Sequence, residues 1–317
     1  MKLHHLRDFV AVARSGGIRR AARDLKLSQP AVSKSIQVLE QELGAPLFRR
    51  GVRGSLLNDY GRAFLVRAEA AMHELDRGCD EVKHMSGTGS GTVCVAASTA
   101  VSLMFLAEVL KDFNQRFPQV NVSVLEGTYP AICRGLQEGT LDFAVGPMTG
   151  QEVPDGLQVE TLFDNELCVV ARHKHPLGRV RSLARLVDAH WVVTAAVGPR
   201  YEDFIDIFVR HGLPTPARRT RCESYIALLA LIVGSDGIAL MPRQWAESSA
   251  TRVLLARIPL AERIAGPATC FMTRRGLPLT PAADALATSF RKEIARYTSG
   301  THAASRSASS AGGGQKA

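Results

Sequence analysis

The chain reads as two parts of different build: an all-α N-terminal module with a small hairpin and a long helix attached, then an α/β body of two lobes. Three observations predict this. A helix–turn–helix spacing fills 21–43 and is followed by a glycine-punctuated hairpin. A seam of apolar residues at steps of three and four then runs from Gly61 to Met85. Beyond a glycine-rich break at 86–91, strand-like and helix-like stretches alternate as far as Tyr297. Such alternation asks for parallel strands covered by helices.

In the N-terminal module, Leu3, Leu6, Phe9, Val10 and Ala13 recur at helical spacing and make a supporting helix. Ala21, Ala22 and Leu25 form the apolar face of the next, and Leu27 is expected to plug the gap behind it. Ser28 suits a helix N-cap, and Pro30 sits in the first turn, where its missing N–H costs nothing. The helix over 28–42 should turn Ala31, Val32, Ile36, Leu39 and Leu43 inward. Its other face sets Pro30, Ser33, Lys34 and Gln37 at i, i+3, i+4 and i+7, with Gln29 beside them. Hydroxyl, ammonium and amide groups in such a row hydrogen-bond base edges and phosphates from a helix in the major groove.

An ordinary two-helix corner with a solvated face has the same spacing, so the surroundings decide. Residues 44–57 read as a hairpin wing carrying Arg49, Arg50 and Arg53. Charge points the same way: residues 1–58 hold eleven Lys and Arg against four acids, a net +7 out of +9 for all 317 residues. A merely solvated basic surface would be spread more evenly; this one fits a polyanion partner.

Together, Ala21-Ala22, Leu27-Ser28-Gln29-Pro30-Ala31-Val32-Ser33, Leu39-Glu40, Leu43-Gly44, Pro46-Leu47-Phe48-Arg49-Arg50 and Gly61 resemble the N-terminal signature of LysR-type transcriptional regulators. Gly17-Ile18-Arg19 departs from the family's Ser-Phe-Thr, and Asn58-Asp59-Tyr60-Gly61 from its Thr-x-Ala-Gly. Lys34 stands where Arg is common, and a point charge lacks Arg's bidentate fork to guanine. That bears on which operator is read. The resemblance implies a winged helix-turn-helix domain at 1–58 on double-stranded operator DNA. Gln29, Ser33, Lys34 and Gln37 would read bases in the major groove, Arg20, Ser28 and Pro30 would also contact DNA, and Arg49, Arg50 and Arg53 would meet phosphate or the minor groove.

Residues 59–87 place Gly61, Phe64, Ala68, Ala71, Leu75, Cys79, Val82 and Met85 on one seam, with charges filling the rest. Such a seam asks for a partner helix, so this is a dimerising linker of roughly 40 Å at 1.5 Å per residue. A flexible hinge follows at 86–91.

In the body, strands are expected at 92–96, 120–125, 141–145, 160–171, 191–194, 218–222, 237–241 and 269–273, with helices at 101–117, 129–138, 199–211, 225–234 and 280–297. This order makes lobe I of about 92–163 and 268–298 and lobe II of about 164–267, a regulatory domain over 88–298. It resembles the family's effector domain, built like a type II periplasmic binding protein. Residues 299–317, without aromatics, read as a disordered tail.

Ligands in such folds sit where strand carboxyl ends meet helix N-termini. Four such places are expected to converge on the inter-lobe cleft: Ser98 and Thr99; Thr128 and Tyr129; Thr194, Ala196 and Gly198; and Ser224. Gly146 closes the same set. Each alone is more simply a helix cap; together they suit a small anionic effector. Gly127-Thr128-Tyr129-Pro130, the run 139–144, Cys222-Glu223-Ser224 and the run 277–283 are similar to toluenesulfonate- and aromatic-acid-responsive members, which implies an aromatic carboxylate or sulfonate. The resemblance further implies a homotetramer that bends DNA and meets RNA polymerase.

Enzyme chemistry is not indicated. There is no G-x-G-x-x-G, P-loop or H-E-x-x-H, and no cofactor is expected. His173 and His175, in a Lys- and Pro-containing turn without nearby carboxylate or Cys ligands, read as a solvated loop, and Asp142 as a structural hydrogen-bonder at a strand start. The six cysteines are widely spaced and suit core positions. No run approaches the roughly 18 apolar residues of a membrane span, and the N-terminus has no export signal, so the cytoplasm is the expected location.

Overall fold

The computed structural model describes residues 1–51, 54–85, 91–148, 152–194, 199–222 and 224–311. Helices α1 (Leu3–Ser15), α2 (Ile18–Asp24) and α3 (Gln29–Leu43) pack around Phe9, Val12, Ala21, Val32, Leu39 and Leu47. Ser28 Oγ accepts the Ala31 N–H at 3.3 Å and starts α3. Leu27 does not plug the gap: Lys26 takes a left-handed φ of 56°, which swings Leu27 outward to 40% exposure. Ala31 and Leu43 are exposed as well, and Ser35 is buried in their place.

The wing is an antiparallel pair, β1 (Phe48–Gly51) and β2 (Gly54–Leu57). Glu40 ties it to α3, its Oε1 accepting the N–H groups of Leu47 (2.7 Å) and Phe48 (3.3 Å). Next comes α4 (Asp59–Met85). Its start needs glycine, because a Cβ on Gly61 would lie 2.1 Å from the Leu47 carbonyl oxygen. The seam foreseen for α4 divides. Gly61, Phe64 and Ala68 face the N-terminal core, whereas Ala71, Leu75, Cys79 and Val82 are exposed.

In the body, β3 (Gly91–Ala97), β4 (Val120–Leu125) and β5 (Phe143–Pro147) are parallel, with β4 at the edge. A continuous helical run follows β3: α5 (Thr99–Val101), a π segment (Ser102–Leu106) and α6 (Ala107–Arg116). Helix α7 (Tyr129–Glu138) joins β4 to β5. The long strand β6 (Leu157–Arg172) then crosses to lobe II. There β7 (His190–Thr194), α8 (Pro199–Arg210), β8 (Arg219–Cys222), α9 (Tyr225–Gly234) and β9 (Gly237–Pro242) form a second parallel trio with β7 between β8 and β9.

After α10 (Arg243–Glu247) and the edge strand β10 (Leu255–Ile258), the chain returns through β11 (Ile264–Arg274) and α11 (Pro281–Ala311). The strand order β4-β3-β5-β11-β6-β9-β7-β8 puts two antiparallel crossing strands between the parallel halves. Lobe I is centred on Phe113, Phe143, Phe271 and Phe290, lobe II on Trp191, Phe204 and Phe208. The crossing strands slip register between Gly266 and Thr269, and Asn165 Nδ2 bridges that bulge to Pro267 O (2.7 Å) and Thr269 Oγ1 (2.8 Å).

At the C-terminal end the tail expected from 299 starts as helix, since α11 continues to Ala311. Once its first half is packed, adding turns costs little, and the alanines after Gly300 favour it.

The linker helix is fastened to lobe I by charge. Arg77 Nη2 lies 2.8 Å from Asp142 Oδ1 and donates to the carbonyls of Gly139 and Leu141. Asp142 Oδ2 accepts the Cys94 N–H at 2.8 Å. Glu74 meets Arg274 at 2.6 Å and Arg77 at 3.5 Å. Burial pushes the Asp142 carboxyl up despite the guanidinium beside it.

Candidate functional site

On α3, Gln29, Pro30, Lys34 and Gln37 are exposed and Ser33 is half-buried, while Val32, Ile36 and Leu39 are buried. Arg20 and Arg49 are exposed as well. None of Arg20, Lys34 and Arg49 has a carboxylate partner among the described residues, so their charges are open to phosphate. Arg50 is placed by its backbone, opposite Ser55. Arg53 lies outside the described residues. Glu40 fastens the wing to α3 through the Leu47 and Phe48 N–H groups, a role its place in the sequence signature does not announce.

Between the lobes lies a pocket of about 130 Å³. One side is the start of α5, where Ser98 Oγ accepts the Val101 N–H. Ser98 N–H donates to Val145 O and Ser102 N–H to Ser98 O, which leaves Thr99 and Ala100 as the helix's donors without a backbone partner among the described residues. Thr99 Oγ1 is buried without a partner among the described residues. Phe204, Ile207, Tyr225 and Trp245 form an apolar wall opposite, and Asn165 and Thr269 sit at the crossing strands. No charged side chain lines it among the described residues.

The expected effector residues separate. Ser98 and Thr99 line the pocket, and Gly146 lies behind them, where a Cβ would come within 3.1 Å of Ser98 Cβ. Thr128 and Tyr129 do not line it. They follow β4, the edge strand, and β3 stands between it and β5. Thr128 is exposed, and Tyr129 packs with Cys133, Leu136 and Met148 inside lobe I. Ser224 caps α9 through the Ala227 N–H and is exposed; its neighbour Tyr225 supplies the wall instead. Thr194 ends β7, paired with Cys222, while Ala196 and Gly198 lie outside the described residues.

The turn holding His173 and His175 is not merely solvated, because His175 is buried with both ring nitrogens bonded. No group of three or more His, Cys, Asp or Glu suited to a metal occurs among the described residues. Burial pushes the Cys94, Cys133, Cys168, Cys222 and Cys270 thiols up, Cys168 to about 12, which favours the protonated form. No described helix is long and apolar enough to cross a membrane.

Two family profiles match. "Bacterial regulatory helix-turn-helix protein, lysR family" covers residues 3–62, and "LysR substrate binding domain" covers residues 86–295. Among curated relatives, the uncharacterized HTH-type transcriptional regulator YdcI of Escherichia coli (strain K12) is 30% identical over 93% of this chain and 96% of its own length. The HTH-type transcriptional regulator GbpR of Azospirillum brasilense is 27% identical over 89% and 84%. Among solved structures, full-length CbnR in complex with its target DNA aligns at a TM-score of 0.65 and 23% identity, covering 92% of this chain and all of that one. Full-length BenM aligns at 0.55 and 24%, covering 94% and 98%. With a helix-turn-helix module, a two-lobed domain around a pocket, and both family profiles in register with them, the chain belongs to the LysR family of bacterial transcriptional regulators.

Proposed function

We propose that α3 enters the major groove of an operator, with Gln29, Ser33, Lys34 and Gln37 on base edges, Arg20, Ser28 and Pro30 close to the backbone, and the wing arginines Arg49, Arg50 and Arg53 on phosphate or the minor groove. What supports this most directly is the exposed row on α3, unpaired in charge and backed by a buried face. Two copies pair along Ala71, Leu75, Cys79 and Val82 of α4, and dimers assemble into a tetramer that bends its site. The test is fluorescence anisotropy on operator fragments. Ser33→Ala with Gln37→Ala loses preference among sequences, whereas Arg49→Ala weakens all sequences alike and lowers the salt slope. Equal affinity and equal preference in both variants would refute this placement.

The same chain senses a small anionic effector, in this reading an aromatic carboxylate or sulfonate, in the inter-lobe pocket. The ring suits the wall of Phe204, Ile207 and Trp245, and the acid group the open end of α5 with the unpartnered Thr99 hydroxyl. A ligand that prefers one arrangement of the lobes shifts the tetramer between shapes and so changes the bend and access for RNA polymerase. In a thermal-shift screen an aromatic acid raises the melting point by mass action, and Ser98→Ala with Thr99→Ala removes the shift. A shift that survives in that variant would place the ligand elsewhere.

A further inference from the structure

Lobe II carries a second pocket, of about 200 Å³, which shares no lining residue with the inter-lobe one. Arg172, Lys174, His175, Gly178, Arg179 and Arg257 surround it, on the end of β6, the turn after it, and the edge strand β10. Among the described residues no acidic side chain lines it.

The basic groups fall into two sets. Arg172 is engaged internally, with Nη2 2.7 Å from Asp236 Oδ1 and Nη1 donating to the carbonyls of His173 and Lys174. His175 is buried, its Nδ1 accepting the Leu177 N–H at 3.0 Å and its Nε2 lying 3.1 Å from Asp236 O. Lys174, Arg179 and Arg257 are different. They are exposed, and none has a carboxylate partner among the described residues. Three cations thus share one concavity uncompensated, with a mutual repulsion that an anion relieves.

Backbone geometry supplies an independent observation. Lys174 holds a left-handed φ of 58°, where a side chain is disfavoured and Gly or Asn fits at less cost. The Arg172 guanidinium pins that turn through its two carbonyls. Strain of this kind persists where surroundings over-determine it, and it gathers at binding sites. Gly178 keeps the next turn tight, since a Cβ there would come within 3.0 Å of His175 O. The result is a tight turn that sets Lys174, His175 and Arg179 on the lining of the pocket, with Arg257 joining them from β10.

We propose that this pocket is a second anion site, distinct from the effector pocket, and that it takes a small multiply charged oxyanion: phosphate, free or carried on a small molecule. Lys174 serves as a point charge, and Arg179 and Arg257 as planar donors to phosphate oxygens.

The test is isothermal titration of the full chain with inorganic pyrophosphate and with glycerol phosphate, in chloride buffer of matched ionic strength. Pyrophosphate or glycerol phosphate binds saturably to the unaltered protein. Arg179→Gln with Arg257→Gln weakens that binding at least about tenfold, the worth of losing a charge-assisted hydrogen bond. Lys174→Gly weakens it too while melting no lower than the parent, because the strained φ is relieved, so lost binding there is not lost folding. Ser98→Ala with Thr99→Ala leaves it unchanged. Tighter pyrophosphate binding identifies a free polyanion, and tighter glycerol phosphate binding an organic phosphate. Undiminished binding in the Arg179 and Arg257 variant would overturn the proposal by placing the anion elsewhere, for example on the basic N-terminal face. So would no binding of either anion. Lower operator affinity in that variant, with no anion binding, would overturn it in favour of a DNA-backbone contact.

Discussion

Replacing Arg77 by Met tests whether the linker helix is fastened to lobe I by charge. Asp142 is 7% exposed, and its carboxylate has two partners, the Arg77 guanidinium and the Cys94 N–H. Met fills the volume of the Arg stem but leaves the carboxylate with one hydrogen bond and no counter-charge. Removing one partner of a buried pair costs ~3–5 kcal/mol. In a domain of this size each kcal/mol is worth ~2–4 °C, so the effector domain should melt roughly 6–20 °C lower.

Asp142→Asn should do far less harm. The amide oxygen still accepts from Cys94, while Arg77 keeps the carbonyls of Gly139 and Leu141 and the nearby Glu74. Combining the two changes should therefore recover much of the Arg77→Met loss. The pH dependence has a definite sign. Burial holds the Asp142 carboxyl above its usual range, so the folded state binds that proton more tightly than the unfolded chain, and ionising it as the pH rises subtracts stability. Without Arg77 the carboxyl rises further, so the deficit is greatest at neutral pH and shrinks on acidification. Thermal melts followed by circular dichroism at neutral and mildly acidic pH measure all of this. A single variant melting within the ~2–4 °C that one kcal/mol is worth, or a double variant no more stable than Arg77→Met, would refute a fastening made by that ion pair.

Three further outcomes are expected. Gly61→Ala forces a Cβ against the Leu47 carbonyl and should cost ~1–3 kcal/mol in a denaturant titration of the N-terminal module; no loss would mean that α4 enters at another angle. Leu75→Glu, at a half-exposed position on the free stripe of α4, should shift the chain toward monomer in light scattering while leaving its circular dichroism intact. Tyr129→Phe removes a buried hydroxyl that has no oxygen or nitrogen partner among the described residues. It should change stability by no more than about 0.5 kcal/mol and leave effector binding as it was; a loss of effector binding would return Tyr129 to the cleft.

The N-terminal module was legible because its signals are local: helical spacing, a serine cap and a first-turn proline act within four residues of one another. Leu27 escaped for an equally local reason, the left-handed Lys26 that no apolar pattern announces. In the body, strand positions were legible and strand directions were not. Alternation suggests parallel pairing throughout, but β6 and β11 cross antiparallel, which depends on partners about a hundred residues apart. The pocket shows the same limit. Capping chemistry can be read at Ser98, Thr128 and Ser224, yet whether a cap faces the cleft depends on strand order, and β4 is at the edge. Phe204, Trp245 and Thr269 come from three distant elements with no shared motif, and α10, which carries Trp245, is too short for periodicity to reveal.

These placements bear on how a cleft ligand could reach the DNA-binding end. Within the body the linker helix packs on lobe I through α7, β3, Asp142 and Arg274. If the effector draws the lobes together, lobe I therefore carries α4 and the winged module with it as one piece, and the motion is taken up at the bulged crossing of β6 and β11 beside the pocket. The Asn165 bridge across that bulge then lies where the lobes pivot, and Gln244 Nε2 donates to the same Asn165 from lobe II at 3.1 Å. Asn165→Ala should leave operator affinity without effector unchanged and reduce the effector's influence on it, measured by anisotropy with and without ligand. An unaltered response would show that the pivot does not depend on this bridge.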